Sequence, residues 1–124
     1  MGLPLTNYHT IMNIEKDIKI ANYIFDLLGL EAPISMSWGI DFDSVQPIPC
    51  GVSFDVAGFK HKGPVQVVLD EASDLFVVRL LSEEGELLST TESVFADDLV
   101  SVIDELVEHC ENYEERVRKE YGLL

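Results

Sequence analysis

Positive charge is what this 124-residue sequence has least of: eight Lys and Arg stand against 23 Asp and Glu, a formal net charge of −15. A field of that sign repels nucleic acid and anionic membrane and favours basic proteins or cationic surfaces. No direct nucleic-acid binding and no membrane binding are therefore expected, and a basic protein is the expected partner. Cysteine is also scarce. Cys50 and Cys110 stand 60 positions apart and fit neither a C-x-x-C dithiol nor a zinc ribbon, so reduced thiols in a cytoplasmic protein are the simplest expectation. No apolar run approaches membrane-spanning length, and the N-terminus lacks the charged start and apolar stretch of a signal peptide. Met1 to Thr6 fits the myristoylation pattern, but a single acyl chain anchors weakly and no basic cluster is nearby to help.

Catalytic motifs are missing as well. The chain has no G-x-S-x-G, no Walker loop, no G-x-G-x-x-G and no H-E-x-x-H, so neither an enzyme nor a cofactor is expected. His9, His61 and His109 lie in an N-terminal segment, a loop and a helix flank, with nothing tying them to a nucleophile. His61, between Lys60 and Lys62, reads as exposed loop and not as a general base. Cys110 sits at an apolar helical position, where a thiol is ordinarily buried and inert; Cys50 lies between Pro49 and Gly51 without a nameable partner. Catalytic groups can still converge without a motif, and an active site of that kind would need a deep pocket.

What is present is globular composition, 47% hydrophobic and 25% charged, at a length that suits one α+β domain over residues 1–124 with a core needing no metal or disulfide. From Thr10 to Leu28, Ile14, Ile18, Ala21, Phe25 and Leu28 recur at spacings of four and three, with Ile11, Ile24 and Leu27 widening the face, which predicts an amphipathic helix ending at Gly29. In "ISMSWGIDFD", Ile34, Met36, Trp38, Ile40 and Phe42 alternate with small or acidic residues and predict a strand. Pro47 and Pro49 interrupt, and Cys50 to Ala57 resumes the alternation. A loop from Gly58 to Pro64 follows. "VQVVLD" and "LFVVRLL", apolar on both faces, predict a hairpin at the centre of the sheet, and the Ser/Thr-rich Leu87 to Val94 predicts an edge. The expected architecture is an N-terminal helix, a four- to five-stranded, mainly antiparallel meander and a long C-terminal helix packed on it.

That last helix carries the charge. Residues 1–64 hold four basic and seven acidic side chains, residues 65–124 four and sixteen. Leu99, Ile103, Leu106, Cys110, Tyr113 and Val117 mark an apolar seam, and an unbroken helix from Asp97 to Tyr121 would run about 37 Å, long enough to overhang the sheet or meet a second subunit. At 100° per residue Asp97, Asp104, Glu108, Glu111 and Glu115 fall opposite the seam as a stripe. The stripe can be a solvated face serving solubility, a surface complementary to a basic protein, or a metal site. Its pitch can also imitate the closely spaced phosphates of duplex DNA. A straight row diverges and suits a cation poorly. "ELVEH" has Glu108 where a di-iron site needs Glu-x-x-His in register, and Asp41 to Val52 lacks the Gly and Glu of a calcium loop. Asp70, Glu71 and Asp74 read as a solvated turn. No metal is expected, and the expected partner-binding residues are Asp97, Asp104, Glu108, Glu111 and Glu115.

Between Gly51 and Leu99, "GVSF", the trio Val65, Val67 and Leu69 before "DLFVV", Gly85 in the next turn, and "VFADDL" resemble a group of small uncharacterised proteins encoded by bacterial phages and mobile elements, whose pattern has Val-Tyr-Ala-Asp-x-Leu at the last place. The interval from Leu69 to Asp74 is one residue longer here. The resemblance covers about two fifths of the chain; it implies a helix, sheet, helix order and a mobile-element origin, and carries no catalytic residue. The expectation is a non-enzymatic acidic accessory protein that binds another protein, with a specific version in which it mimics DNA toward a host nucleic-acid-binding protein. The alternative is a homodimeric chaperone or scaffold.

Overall fold

A computed structural model describes residues 3–108, with side chains from Ile14 onward. Helix α1 (Leu3–Gly29) is followed by a single helical turn, α2 (Ala32–Ser35), and a 3-10 turn (Met36–Trp38). Five strands come next: β1 (Asp41–Ile48), β2 (Gly51–Ala57), β3 (Lys62–Asp70), β4 (Leu75–Leu81) and β5 (Leu87–Val94). A 3-10 turn (Ala96–Asp98) then leads into α3 (Leu99–Val107). Every strand is antiparallel to its sequence neighbours, in the order β1-β2-β3-β4-β5, so the α+β meander read from the sequence is the fold.

The alternation of each strand sets the two faces of the sheet. Val52 pairs with Val67 and Val67 with Val78, while Phe54 pairs with Val65 and Val65 with Leu80. These side chains are buried with Phe76 and Val94 beneath Ile20, Ala21, Ile24 and Leu28 of α1 and Leu99, Val100, Ile103 and Val107 of α3. Removing a large side chain such as Phe54 from water contributes roughly 2–3 kcal/mol, and the edge-on contact of its ring with Phe25 at 5.4 Å fixes how it packs. Both helices lie on this one face.

Helix α1 is rolled relative to the predicted seam. The residues turned to the sheet follow Asp17, Ile20, Ala21, Ile24 and Leu28, whereas Ile14 and Ile18 remain 51% and 41% exposed. Asp17 lies on this side of the helix, and its carboxylate accepts the Cys50 backbone N–H at 2.8 Å, tying α1 to the β1–β2 turn. Cys50 occupies the second position of this Pro-Cys turn with φ +58°, a left-handed conformation that turns often require at that place.

The predicted strand from Ile34 to Asp43 is corrected. Pro33 opens α2 with its φ preset, Ser35 and Ser37 hydroxyls donate back to the Ala32 and Ile34 carbonyls at 3.4 and 2.6 Å, and Gly39 at φ +66° ends the turn. Ser35 and Trp38, three apart, are buried while Ile34 and Met36 stay exposed. Helical spacing wins here because the alternating small residues are neutral in either conformation and the fully buried Trp38 decides. Strand β1 instead starts at Asp41 and tolerates Pro47 because it lies at the sheet edge.

Helix α3 ends earlier than predicted. Glu108 leaves helical backbone at φ −127°, so the unbroken helix from Asp97 to Tyr121 does not form; residues 109–124 lie outside the described residues. The β2–β3 loop accounts for the stop. Lys60 donates its backbone N–H to the Val107 carbonyl at 2.8 Å and its ammonium to the Glu105 carbonyl, placing a positive charge on the negative end of the helix. The loop reaches that close only because residue 58 is glycine: a Cβ there would stand 2.3 Å from the Val107 carbonyl oxygen. No helix among the described residues is long and apolar enough to cross a membrane.

Candidate interaction surface

Of the five carboxylates expected to form one outward row, Glu111 and Glu115 lie outside the described residues, and the other three have different surroundings. Asp97 is exposed in the turn before α3. Asp104 is half-buried and accepts the Trp38 indole N–H at 2.9 Å. Glu108 is buried, 5% exposed, and its Oε2 accepts the Phe59 N–H at 3.0 Å. The outward orientation expected of Asp104 and Glu108 is thus corrected: both are taken up by backbone and indole donors that would be left without acceptors in the interior.

The meander assembles another acidic region that linear spacing does not reveal. In a meander, alternate connections fall at the same end of the sheet, so the β3–β4 turn lies beside the exit of β5; Asp70 pairs with Leu75 and Phe76 with Val94. This brings together six exposed carboxylates, Asp70, Glu71 and Asp74 on one side and Glu92, Asp97 and Asp98 on the other. Asp70 folds its own turn by accepting from the Ala72 N–H at 3.1 Å and the Ser73 hydroxyl at 3.0 Å. Asp70, Glu71 and Asp74 are exposed, as a solvated turn requires; that Glu92, Asp97 and Asp98 lie beside them follows from odd-numbered connections of a meander sharing an end.

A small polar cluster ties this end to α1. The Lys16 ammonium is 2.8 Å from Glu71 Oε1, and the Cys50 thiol donates toward the same oxygen at 3.6 Å. Their hydrogen bond and opposite charges raise the Lys16 pKa and lower that of Glu71. Partial burial, and then the neighbouring Glu71 carboxylate, push the Cys50 thiol up, so at neutral pH it is protonated and a weak nucleophile.

His61, expected on an exposed loop, is buried, with Nε2 3.2 Å from the Pro64 carbonyl oxygen. An open groove of about 390 Å³ lies between β5 and α3, lined by Thr91, Asp98, Ser101, Val102, Glu105 and Leu106. Neither His61 nor Cys50 reaches it. Asp98 and Glu105 are separated by about 10 Å along the helix axis, too far to share a proton or a cation. Among the described residues no group of three or more His, Cys, Asp or Glu converges as metal ligands would. No family model, no curated protein and no solved structure matches the chain.

Proposed function

We propose that the chain is a non-enzymatic acidic accessory protein that binds a basic protein partner, in a phage or mobile-element setting, through the carboxylates at the β3–β4 and β5–α3 end of its sheet. The observation that carries this reading is the juxtaposition there of Asp70, Glu71, Asp74, Glu92, Asp97 and Asp98, all exposed, on a chain of net charge −15. Lys16 offsets one of them, Glu71. Carboxylates held at the surface by a rigid sheet concentrate field where it can steer a basic surface into contact and set its register. Asp97 belongs both to this region and to the predicted stripe; Asp104 and Glu108 act in it only by shaping α3.

Affinity capture from the native host at low and at high salt tests the proposal, followed by binding of the captured protein to Asp74→Asn/Asp97→Asn/Asp98→Asn. The triple variant is expected to bind more weakly and with a flatter salt dependence. Equal affinity in the variant rejects this surface. Duplex DNA added as competitor separates the specific version: a partner displaced by DNA is one whose nucleic-acid site the protein occupies, as a phosphate-backbone mimic would.

A further inference from the structure

The sheet has a second face, and its chemistry differs from the rest of the surface. Because α1 and α3 both cover the Phe54 face, the opposite side chains, among them Gln66, Val68, Val77, Arg79 and Thr90, are not part of the packed core, although Ser53 on the same side is buried. A solvated face of an antiparallel sheet ordinarily alternates to polar residues. Here the outward positions of β4 read Leu75, Val77, Arg79 and Leu81, three aliphatic residues of four, each partly exposed, and Leu87 paired with Leu81 is 61% exposed. Val68 pairs with Val77 and extends the apolar row across the two central strands.

Charge is segregated on this face as well. Among the described residues the outward positions of the three central strands hold no acid between Asp55 and Asp70, and Arg79, the only arginine among the described residues, sits there opposite Gln66 and Thr90; Glu92, at the bulge of edge strand β5 opposite Val77, is the acid nearest to them. The acids stand at its margins: Asp41 and Asp55 are paired with each other at one end, and Asp70 is paired with Leu75 at the other.

The geometry points to a homodimer in which two copies pack these sheet faces, uncovered among the described residues, together about a twofold axis near Gln66 and Val68. A basic partner finds no carboxylate to attract it at the centre, while a second copy meets a nearly neutral surface and keeps its acidic ends apart. Marginal charges more than about 8 Å apart are largely screened at physiological ionic strength. Five strands spaced about 4.8 Å and about seven residues long give a flat footprint of roughly 500 Å², of the order of the ~800 Å² per partner in a standard interface once side-chain relief is included. Twofold packing of this kind would lay β4 of each copy over the other's central strands, with Val77 and Leu81 in the apolar contact and Gln66 as an acceptor for Arg79. This surface borders the acidic end at Asp70 and Glu92 but does not depend on the partner proposed for it.

Sedimentation or light scattering of the full chain over a range of concentrations tests the dimer. The expected result is a mass twice that of one chain at high micromolar concentration. Val77→Glu places a carboxylate at the centre of the face and is expected to weaken association by about tenfold or more. Gln66→Glu does the same at an already polar, outward position, and is read in its place if circular dichroism shows that the valine variant does not fold. Asp74→Asn/Asp97→Asn/Asp98→Asn is expected to dimerise as the native chain does. A monomer at every concentration means that the face is bare or covered by something other than a second copy, and overturns the proposal. A dimer that persists unchanged in the folded charge variants overturns it too, because the interface then lies elsewhere.

Discussion

The Trp38 indole N–H and the Asp104 carboxylate, 66 positions apart in sequence, meet at 2.9 Å and join the turn after α1 to the middle of α3. Trp38 is fully buried, so its one polar atom has no alternative acceptor in water, and the carboxylate supplied by α3 satisfies it.

Asp104→Ala is therefore expected to lower unfolding free energy by about 1–3 kcal/mol, since it leaves a buried donor unpaired, while Asp104→Asn keeps an acceptor in place and costs less. Urea denaturation followed by Trp38 fluorescence measures both. Equal losses for the two substitutions would show that the bond does not contribute.

The roll of α1 makes a second comparison possible. Ile24 is fully buried and Ile18 is 41% exposed, although both lie on the apolar side of the helix by spacing. Ile24→Ala is expected to cost about 2–5 kcal/mol and Ile18→Ala less than about 1 kcal/mol. A reversed order in thermal or chemical denaturation would place the helix in the orientation read from sequence periodicity alone.

Gly58 and Gly85 separate crowding from backbone strain. Ala at Gly58 must push its Cβ away from the Val107 carbonyl oxygen, whereas Gly85, at φ +90°, has open space around it. Gly58→Ala is expected to destabilise by several kcal/mol and to loosen the end of α3, and Gly85→Ala by about 1 kcal/mol. Hydrogen exchange of amides 104–108 distinguishes the two, because only the first is expected to accelerate it.

The Lys16–Glu71 pair gives a pH dependence of definite sign. Its effect on Glu71, whose pKa is lowered from the ordinary 4.5 in the folded chain, is a stabilisation present above that value and lost as pH falls through the folded value. Lys16, raised above 10.5, contributes below that value and loses its contribution as pH rises through the folded value. Both groups are exposed, so solvent screening keeps the effect small. Glu71→Gln is expected to flatten the acid limb of the stability curve and, by removing the charge beside the thiol, to speed alkylation of Cys50 followed by peptide mass mapping. An unchanged alkylation rate would mean that burial alone sets the thiol's reactivity.

The parts of the fold that were legible in the sequence are those whose pattern is strong over many residues. Val52, Phe54 and Val56 alternate cleanly and became the inner face, joined by Val65, Val67, Phe76, Val78 and Leu80 from two runs apolar on both sides; in α3, Leu99 and Ile103 are buried as the seam predicts, while Val107 is buried where the seam has Leu106, which is only partly buried. The segment from Ile34 to Asp43 misled because its alternation came from serines and a glycine, which bond back to their own backbone as readily as they line a strand. Asp104 and Glu108 could not be placed from helical phase, since the groups that draw them inward, the Trp38 indole and the Phe59 amide, come from distant parts of the chain. The acidic end was invisible for a related reason: its two halves are contiguous only after the strands have paired.

That pairing has a kinetic consequence. Each strand bonds only to the strand before or after it, so the sheet can zip from one hairpin to the next with small loops to close at every step. The slow event is then the last one, when α1 and α3, from the two ends of the described chain, must settle on a platform that is already built.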